Sequence, residues 1–537
     1  MSSLAEVKKK LVVLFFVSLV YFFYAGLFLN PSRFNHFSLI DDGQVLIQSS
    51  SYFEDCLFRL RCQKFADQTF EFGTNRFRPT YWLINNFLYE ALGNNAGLHH
   101  AFRIYVVGYL MIFSLALIFL NLKISWPALI LGIFIFVSNY SFSENIIRLG
   151  TNEPLQVLFL AVFSLLYFRY KETNPKSPTI FPLLVILLIW TIFIKENSIA
   201  ILPAVFINEY LSSKKNFRKT VVLVGLPFAL FILGVILSKI MPSTISPDIP
   251  AYTNNYVTSP TVILKNASLN LELLLNSMSP FLKLTLVLSP LLVIIGRARK
   301  LLKNEKFYYW FLFAVFFTLI LFPWRHVLER YQLVSIFGMT VVITFLIDRA
   351  IGFVKEIILS RIKLISRYPL LEIVSFGVVA ILFLKGFPIN LAKTVNFGNI
   401  FSTRSRFEVD QLQAIANYNS QKMYINGKNN IENWEFLYEL PIHLEFLYGV
   451  TPNINLIKEQ EIGKGGYIFS SSSIDYVVNR EDLERKGYRV LVSGNYDVDL
   501  IDPIIFRAKF LSQPLGIITN PPLMGNGIKY YWEIRKL

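Results

Sequence analysis

Long unbroken apolar runs alternate with short charged stretches from the N-terminus to about residue 386, and beyond that point hydrophobic and polar positions mix on a much shorter scale. The long runs have neither the 3.6-residue period of an amphipathic helix nor the alternation of a half-buried strand. They suit helices crossing a hydrocarbon layer about 30 Å thick. The spans drawn from the pattern are approximately 11–29, 101–120, 125–139, 155–169, 180–194, 197–210, 220–238, 281–296, 307–322, 331–347 and 370–386. Several are shorter than the roughly 20 residues of a perpendicular crossing, so their ends extend into flanking polar residues. The pair 180–194 and 197–210 is parted only by "KEN", and reading it as one helix would invert everything downstream.

Composition agrees with the pattern. Of 537 residues, 54% are hydrophobic, 50 are Phe, 27 are Tyr and only 16% are charged, more apolar side chain than a water-soluble fold readily hides. The first run, Leu11–Asn30, follows Lys8, Lys9 and Lys10 as a signal peptide would. It is long for such a segment, however, and "NPSRFNHF" follows instead of a small-x-small cleavage site, so a retained span is expected.

The net charge of +16 raises the question of nucleic acid, but no nucleic-acid module accompanies it, and no nucleic acid is expected as a partner. Much of the Lys and Arg falls in short loops, which is a topology signal. With the N-terminus in the cytoplasm, the inner loops are "NLK" (121–123), "RYKETNPKSP" (169–178), "SSKKNFRK" (212–219), "GRARKLLKNEK" (296–306) and 348–369, and all carry Lys or Arg. The opposite set, 30–100, 140–153, the "KEN" turn, 240–280 and 323–330, is long or acidic. Merging the two short spans would move "SSKKNFRK" to the wrong side. The expectation is therefore a polytopic α-helical protein of the cytoplasmic membrane with about 11 transmembrane helices, its N-terminus inside and everything after residue 387 outside.

Residues 390–537 alternate short apolar segments ("KMYING", "GYIFSS", "YVVN", "YRVLVSG") with helical ones such as "FEVDQLQAIANYNS". That predicts a small extracytoplasmic α/β domain over 387–537, set on a transmembrane module over 1–386. "GKGG" (463–466) lacks the length and the following Ser or Thr of a phosphate-binding loop and reads as a turn. Cys56 and Cys62 are the only cysteines; outside the membrane a disulfide between them is permitted, and without clustered histidines a structural zinc site is not indicated.

The outer loops concentrate the polar chemistry. The first, 30–100, is far longer than a connector needs. It opens with Asp41–Asp42 and ends with "RFRPTYWLINNFLY", where Phe77, Tyr81, Ile84 and Leu88 behind Pro79 predict a helix lying along the membrane surface. Arg76, Arg78, His99, His100 and Arg103 return positive charge to the mouth of the second span. Further along lie Glu144, Arg148 and Glu153, then Lys195 and Glu196, then Arg325, His326, Glu329 and Arg330 in "PWRHVLER". Taken singly, the Asp pair reads as a solvated cap, Lys195 as a snorkelling side chain and "PWRHVLER" as an interfacial anchor. Their shared sidedness suits a reaction on an anionic lipid-linked substrate. An Asn266-Ala267-Ser268 sequon falls in the fourth outer loop.

The first span, the "DDG" loop, "RFRPTYWLINNFLY", "HHAFR", "NEP" before the fourth span and "KENSI" at the sixth resemble, in order and sidedness, the GT-C superfamily of polytopic glycosyltransferases. Within it they are most similar to the protein O-mannosyltransferase-like branch. The chain departs from TPR-bearing members in having no 34-residue repeat, which leaves protein, lipid and polysaccharide open as acceptors. The resemblance implies a GT-C-like fold and an inverting transfer of sugar from a polyprenyl-phosphate donor of undecaprenyl or dolichyl type. Asp41 or Asp42 matches the catalytic acid position, Arg78–Pro79 the "RP" element and Lys195–Glu196 the "KE" element. One aspartate takes the acceptor hydroxyl's proton while the other orients or binds. Lys195, Arg325, His326, Arg330 and Arg78 are candidates to hold the departing phosphate. No cofactor is required; for a divalent metal the candidates are Glu144 and Glu153. Competing classes are a lipid or solute transporter, or flippase, which calls for polar groups at mid-membrane, and a non-enzymatic sensor or assembly protein working through the outer domain.

Overall fold

The computed structural model describes residues 2–39, 42–73, 76–172, 179–211, 217–242, 257–277, 304–361, 370–418, 422–428, 431–451, 454–457, 466–512, 523–524 and 527–537. Every expected span except 281–296, which lies outside the described residues, coincides with a helix. Helicity and crossing length are different matters, though. Among the described residues four helices are long and apolar enough to cross a membrane: Lys10–Phe34, Ala96–Asn121, Arg218–Ile240 and Glu329–Arg349. A fifth forms if Trp126–Val137 and Tyr140–Ile147, bent by 59° at Ser138–Asn139, are one broken span.

The expected count of about 11 is therefore not met by the described helices. Ile180–Ile192, Ile201–Leu211 and Glu305–Leu319 have 13, 11 and 15 residues, too few for a perpendicular crossing. Glu153–Glu172 has 20 residues but carries charge at both ends. The chain is an integral membrane protein. Its first helix leaves Leu11, Phe15, Phe16, Leu19 and Phe23 more than half exposed, a patch that water would not tolerate and lipid does.

Segments expected on one side do meet one another. At one end of the bundle Lys171 pairs with Glu209 and Glu305, Lys306 with Glu172 and with the Asn121 carbonyl, and the Ser125 N–H donates to Asp348. At the other end the Gly73 N–H donates to the Ser238 carbonyl, the Val257 N–H to the Pro323 carbonyl, and Asn145 Nδ2 to the Arg330 carbonyl. Ile180–Ile192 and Ile201–Leu211 run in opposite directions: Phe181 and Glu209 lie at the first end and Lys195–Glu196 at the second. They do not merge.

The C-terminal region carries a mixed sheet. Its strands are β1 (Met423–Ile425), β2 (Ile454–Leu456), β3 (Tyr467–Ser471), β4 (Arg489–Asp497), β5 (Leu500–Ile501), β6 (Leu523–Met524) and β7 (Lys529–Lys536). The main sheet runs β2-β1-β3-β7-β4, parallel across the first three and antiparallel across the last three; β5 and β6 pair separately. "YVVN" is not a strand, because Asn426 satisfies the Val478 N–H and carbonyl with its side chain and takes the place of a ladder. Gly466, at the end of "GKGG", has φ +103°, and residues 463–465 lie outside the described residues. The boundary expected at 386/387 falls inside one 49-residue helix, Leu370–Tyr418, with Pro388 in its interior. Asn266 of the sequon is buried in helix Pro260–Ser277, donating to the Trp324 carbonyl, so it offers no accessible amide.

The first outer loop and the C-terminal region share cores. Leu39 is buried among Phe407, Leu412, Leu440 and Leu444, while Phe446 and Leu447 pack on a cluster of Phe37, Val45, Leu46, Tyr81 and Trp82. Pro79–Leu92 is a helix with Pro at its start, as expected, but its buried face is Tyr81, Trp82, Asn85 and Asn86, and Leu83 and Phe87 point outward. Cys56 and Cys62 form a disulfide.

Close helix approach in the bundle depends on Gly132, where a Cβ would lie 2.5 Å from Thr344 Oγ1 and 2.7 Å from the Phe119 ring. Gly132→Ala is expected to destabilise the bundle by about 1–3 kcal/mol, seen as a lowered unfolding midpoint in detergent; an unchanged midpoint would show that the contact relaxes freely.

Candidate active site

Where apolar helices end, an ionised side chain keeps its charge only if it is paired or wet. Three groups of paired charge assemble at the end of the bundle that holds Lys195. Lys195, extended at the start of the Glu196–Ala200 turn, forms an ion pair with Glu153, the first residue of helix Glu153–Glu172. Its ammonium also lies 4.6 Å from the centre of the Tyr331 ring, and the Arg330 guanidinium lies 5.1 Å from the same ring. Two cations thus lie against one aromatic ring, which favours positive charge there. Beside it, Gln156 Nε2 donates to Asn197 Oδ1 at 2.7 Å and Ser198 Oγ at 2.9 Å, locking the turn to the neighbouring helix.

One residue along, Glu196 pairs with Arg76 and lies 4.0 Å from Arg78 Nε. Arg78 is spoken for by Glu71, with its Nε 3.0 Å from both carboxylate oxygens, and its guanidinium lies 5.2 Å from the Tyr81 ring. Burial pushes the Glu196 carboxyl up, but the charges of Arg76 and Arg78 and the Arg76 hydrogen bond outweigh it and hold the group at about 2. The sequence offered Arg78 as a free phosphate ligand. The structure makes it half of a buried ion pair with Glu71, a residue not singled out from the sequence although it lies only seven positions away.

The third group lies at the end of helix Tyr140–Ile147 and in the turn that follows it, as far as Thr151. Arg148 Nε is 3.4 Å from Glu144, and its guanidinium lies 5.7 and 5.9 Å from the Phe397 and Phe401 rings of the long C-terminal helix. Arg103, buried in the second span, donates to the carbonyl and hydroxyl of Thr151. Tyr81 OH donates to the Gly150 carbonyl at 2.7 Å. Against this turn sits Asp42, almost fully buried, its Oδ2 accepting the Ser38 N–H at 2.8 Å. Ser38, Asp42, Arg148, Gly150, Thr151 and Phe401 border a cavity of about 10 Å³, room for no more than one water. Asp41 lies outside the described residues.

Two expected members stand apart: Arg325 and His326 are exposed, while Arg330 is half-buried in the cluster. Partial burial and the nearby charges of Arg325 and Arg330 lower the His326 pKa, so its ring is neutral near pH 7. Glu144 and Glu153 are committed to Arg148 and Lys195. Among the described residues no group of three or more His, Cys, Asp or Glu side chains could hold a metal ion.

No family model matches the sequence, and no curated protein matches it. Among solved structures, the crystal structure of ArnT from Cupriavidus metallidurans bound to undecaprenyl phosphate is similar to this chain. It has 13% sequence identity and a TM-score of 0.49, and the match covers 88% of this chain and 96% of that one.

The Arg76–Glu196–Arg78 cluster makes acid sensitivity testable. Glu196 has a folded pKa of about 2, below its unfolded value near 4.3. Its stabilisation is therefore complete above the unfolded value and is lost as pH falls through the lowered folded one. Glu196→Gln should lower the unfolding midpoint at neutral pH and shrink the difference from wild type as pH drops from about 4.5 to 2. A difference independent of pH would rule out this carboxylate as the titrating group.

Proposed function

We propose that this protein is a GT-C-type membrane glycosyltransferase that moves a sugar from a polyprenyl-phosphate donor to an acceptor hydroxyl at the outer face of the cytoplasmic membrane. One observation carries this reading: the turn that bears Lys195 runs within four residues into the lining of an apolar trough. Lys195 and Arg330 flank Tyr331, and four residues after Lys195 begins a cavity of about 510 Å³ lined by Ile199, Leu202, Phe206, Val224, Phe228 and Phe316. An isoprenoid chain calls for an apolar trough open toward lipid, and Phe206 and Phe228 are partly exposed there. Its phosphate calls for donors at the trough's polar end. The Cys56–Cys62 disulfide supports placing the first loop outside the cytoplasm.

In the reaction, an acceptor oxygen attacks the anomeric carbon, the carbon–oxygen bond to the phosphate breaks, and the phosphate leaves with the bonding electrons. A single displacement inverts the anomeric centre. Lys195, with Arg330 beside it, offsets the charge developing on the phosphate, a role for which preorganised cations in a water-poor site are effective. This scheme uses no divalent metal. The acceptor's proton goes to a carboxylate. Asp42 is turned back onto the Ser38 N–H beside a cavity of water size, which supports an orienting role for Asp42 and the base role for Asp41. Arg76, Arg78 and Glu196 keep the first loop docked on the "KEN" turn. The exposure of Arg325 and His326 supports a contact with the sugar or acceptor and not with the buried cluster. The acceptor class, whether protein, lipid or polysaccharide, is left open by these residues.

Transfer of labelled sugar from synthetic polyprenyl-phosphate donors to membrane extract tests the reading. Asp41→Asn should lower kcat/KM by about 100- to 10,000-fold, with a smaller loss in Asp42→Asn. Full activity in both variants would remove the base assignment, and no transfer by folded wild-type protein from any such donor would remove the reading itself.

A further inference from the structure

The segment around the aspartate pair is gripped on both sides by the C-terminal region. Before the pair, the His36 N–H donates to Ser405 Oγ at 2.7 Å and the Leu39 N–H to Glu408 Oε2 at 3.0 Å. After it, the Gln44 N–H donates to both oxygens of Glu439, at 3.1 and 3.0 Å. Glu408 and Glu439 are almost fully buried, as carboxylates in such a place must be if they exist to accept hydrogen bonds. Arg404, one turn away, compensates Glu408 through a 2.6 Å contact.

The fit around Glu439 has no slack. A Cβ on Gly43 would overlap Glu439 Oε2 and lie 2.8 Å from the His443 ring, so any side chain there must push the Glu439 carboxylate off the "DDG" segment. Burial pushes the His443 imidazole down to about 4, leaving a neutral ring that packs against Gly43 and not a cation competing for the carboxylate. Leu39, buried in the C-terminal core, pins the same segment by its side chain.

We propose that Glu439, together with Glu408, is a positioning residue of the transfer reaction: the two carboxylates fix the backbone on either side of Asp41–Asp42, and the C-terminal region is thereby part of the catalytic centre. The proposal rests on the sugar-transfer reading above. Neither glutamate touches a reacting atom; each acts through the backbone it holds. A base displaced by about 1 Å costs on the order of a hundredfold in rate, so the loss should fall on turnover and not on donor binding, which the Lys195 cluster and the apolar trough provide.

Two readouts on the purified full-length protein decide the matter. In the transfer assay, Glu439→Ala is expected to lower kcat about a hundredfold with donor KM within about twofold of wild type, and Glu439→Gln, which keeps a carbonyl acceptor for the Gln44 N–H, to recover most of the loss. Gly43→Ala should behave like Glu439→Ala, and the double variant should be no worse than either, since both break the same contact. In hydrogen exchange, amides of residues 36–44 should speed up in Glu439→Ala while β1 and β3 keep their wild-type protection. Wild-type kcat in Glu439→Ala, or lost protection throughout the C-terminal sheet, overturns the proposal. Should wild-type protein transfer from no polyprenyl donor, the sugar-transfer reading fails and exchange alone decides. Faster exchange confined to 36–44 then upholds the brace, and unchanged exchange overturns it.

Discussion

The structure depends on neutralising charge where apolar helices end. A lone buried ion at such a place costs several kcal/mol even after relaxation, and a well-placed counter-ion recovers most of that cost. Lys195 with Glu153, Arg78 with Glu71 and Arg76 with Glu196 are three instances within one short stretch of the outer segments. Because Lys195–Glu153 and Arg76–Glu196 join residues from different loops, satisfying those charges also fixes the loops to one another, while Arg78–Glu71 closes the first loop on itself. The helices supply length and a lipid-facing surface; the ion pairs decide how their ends are arranged.

This has a consequence for the chemistry. A cation committed to a carboxylate, as Arg78 is to Glu71, is a poor ligand for a phosphate; Lys195 is paired too, with Glu153, but a second cation, Arg330, lies against the same Tyr331 ring. The phosphate end of the proposed donor site is therefore narrower than the sequence suggested, while its lipid end is a trough that no short motif encodes. The first outer loop is likewise no free-standing appendage. Its backbone is held by Glu408 and Glu439, its side chains complete two hydrophobic clusters, and a helix of the C-terminal region sets Glu439 and His443 directly against Gly43.

The sequence by itself determined the membrane class and, among the described residues, the positions of the helices. Those depend on hydropathy and charge, which are local quantities summed along a run. It also determined three strands and the helix behind Pro79. It did not determine how many helices cross at full length: the span drawn at 197–210 was already short of a crossing, and among the described residues helix Ile201–Leu211 has 11 residues. Only the tertiary structure decided which charges are spent on one another, that Arg325 and His326 stay at the surface, that Asn266 is buried, and that Glu71, Tyr331, Glu408 and Glu439 belong with the candidate site. Glu408 and Glu439 lie nearly 400 residues from the backbone groups they bind, and a hydrogen bond over that separation leaves no periodicity or spacing in the chain from which it could be read.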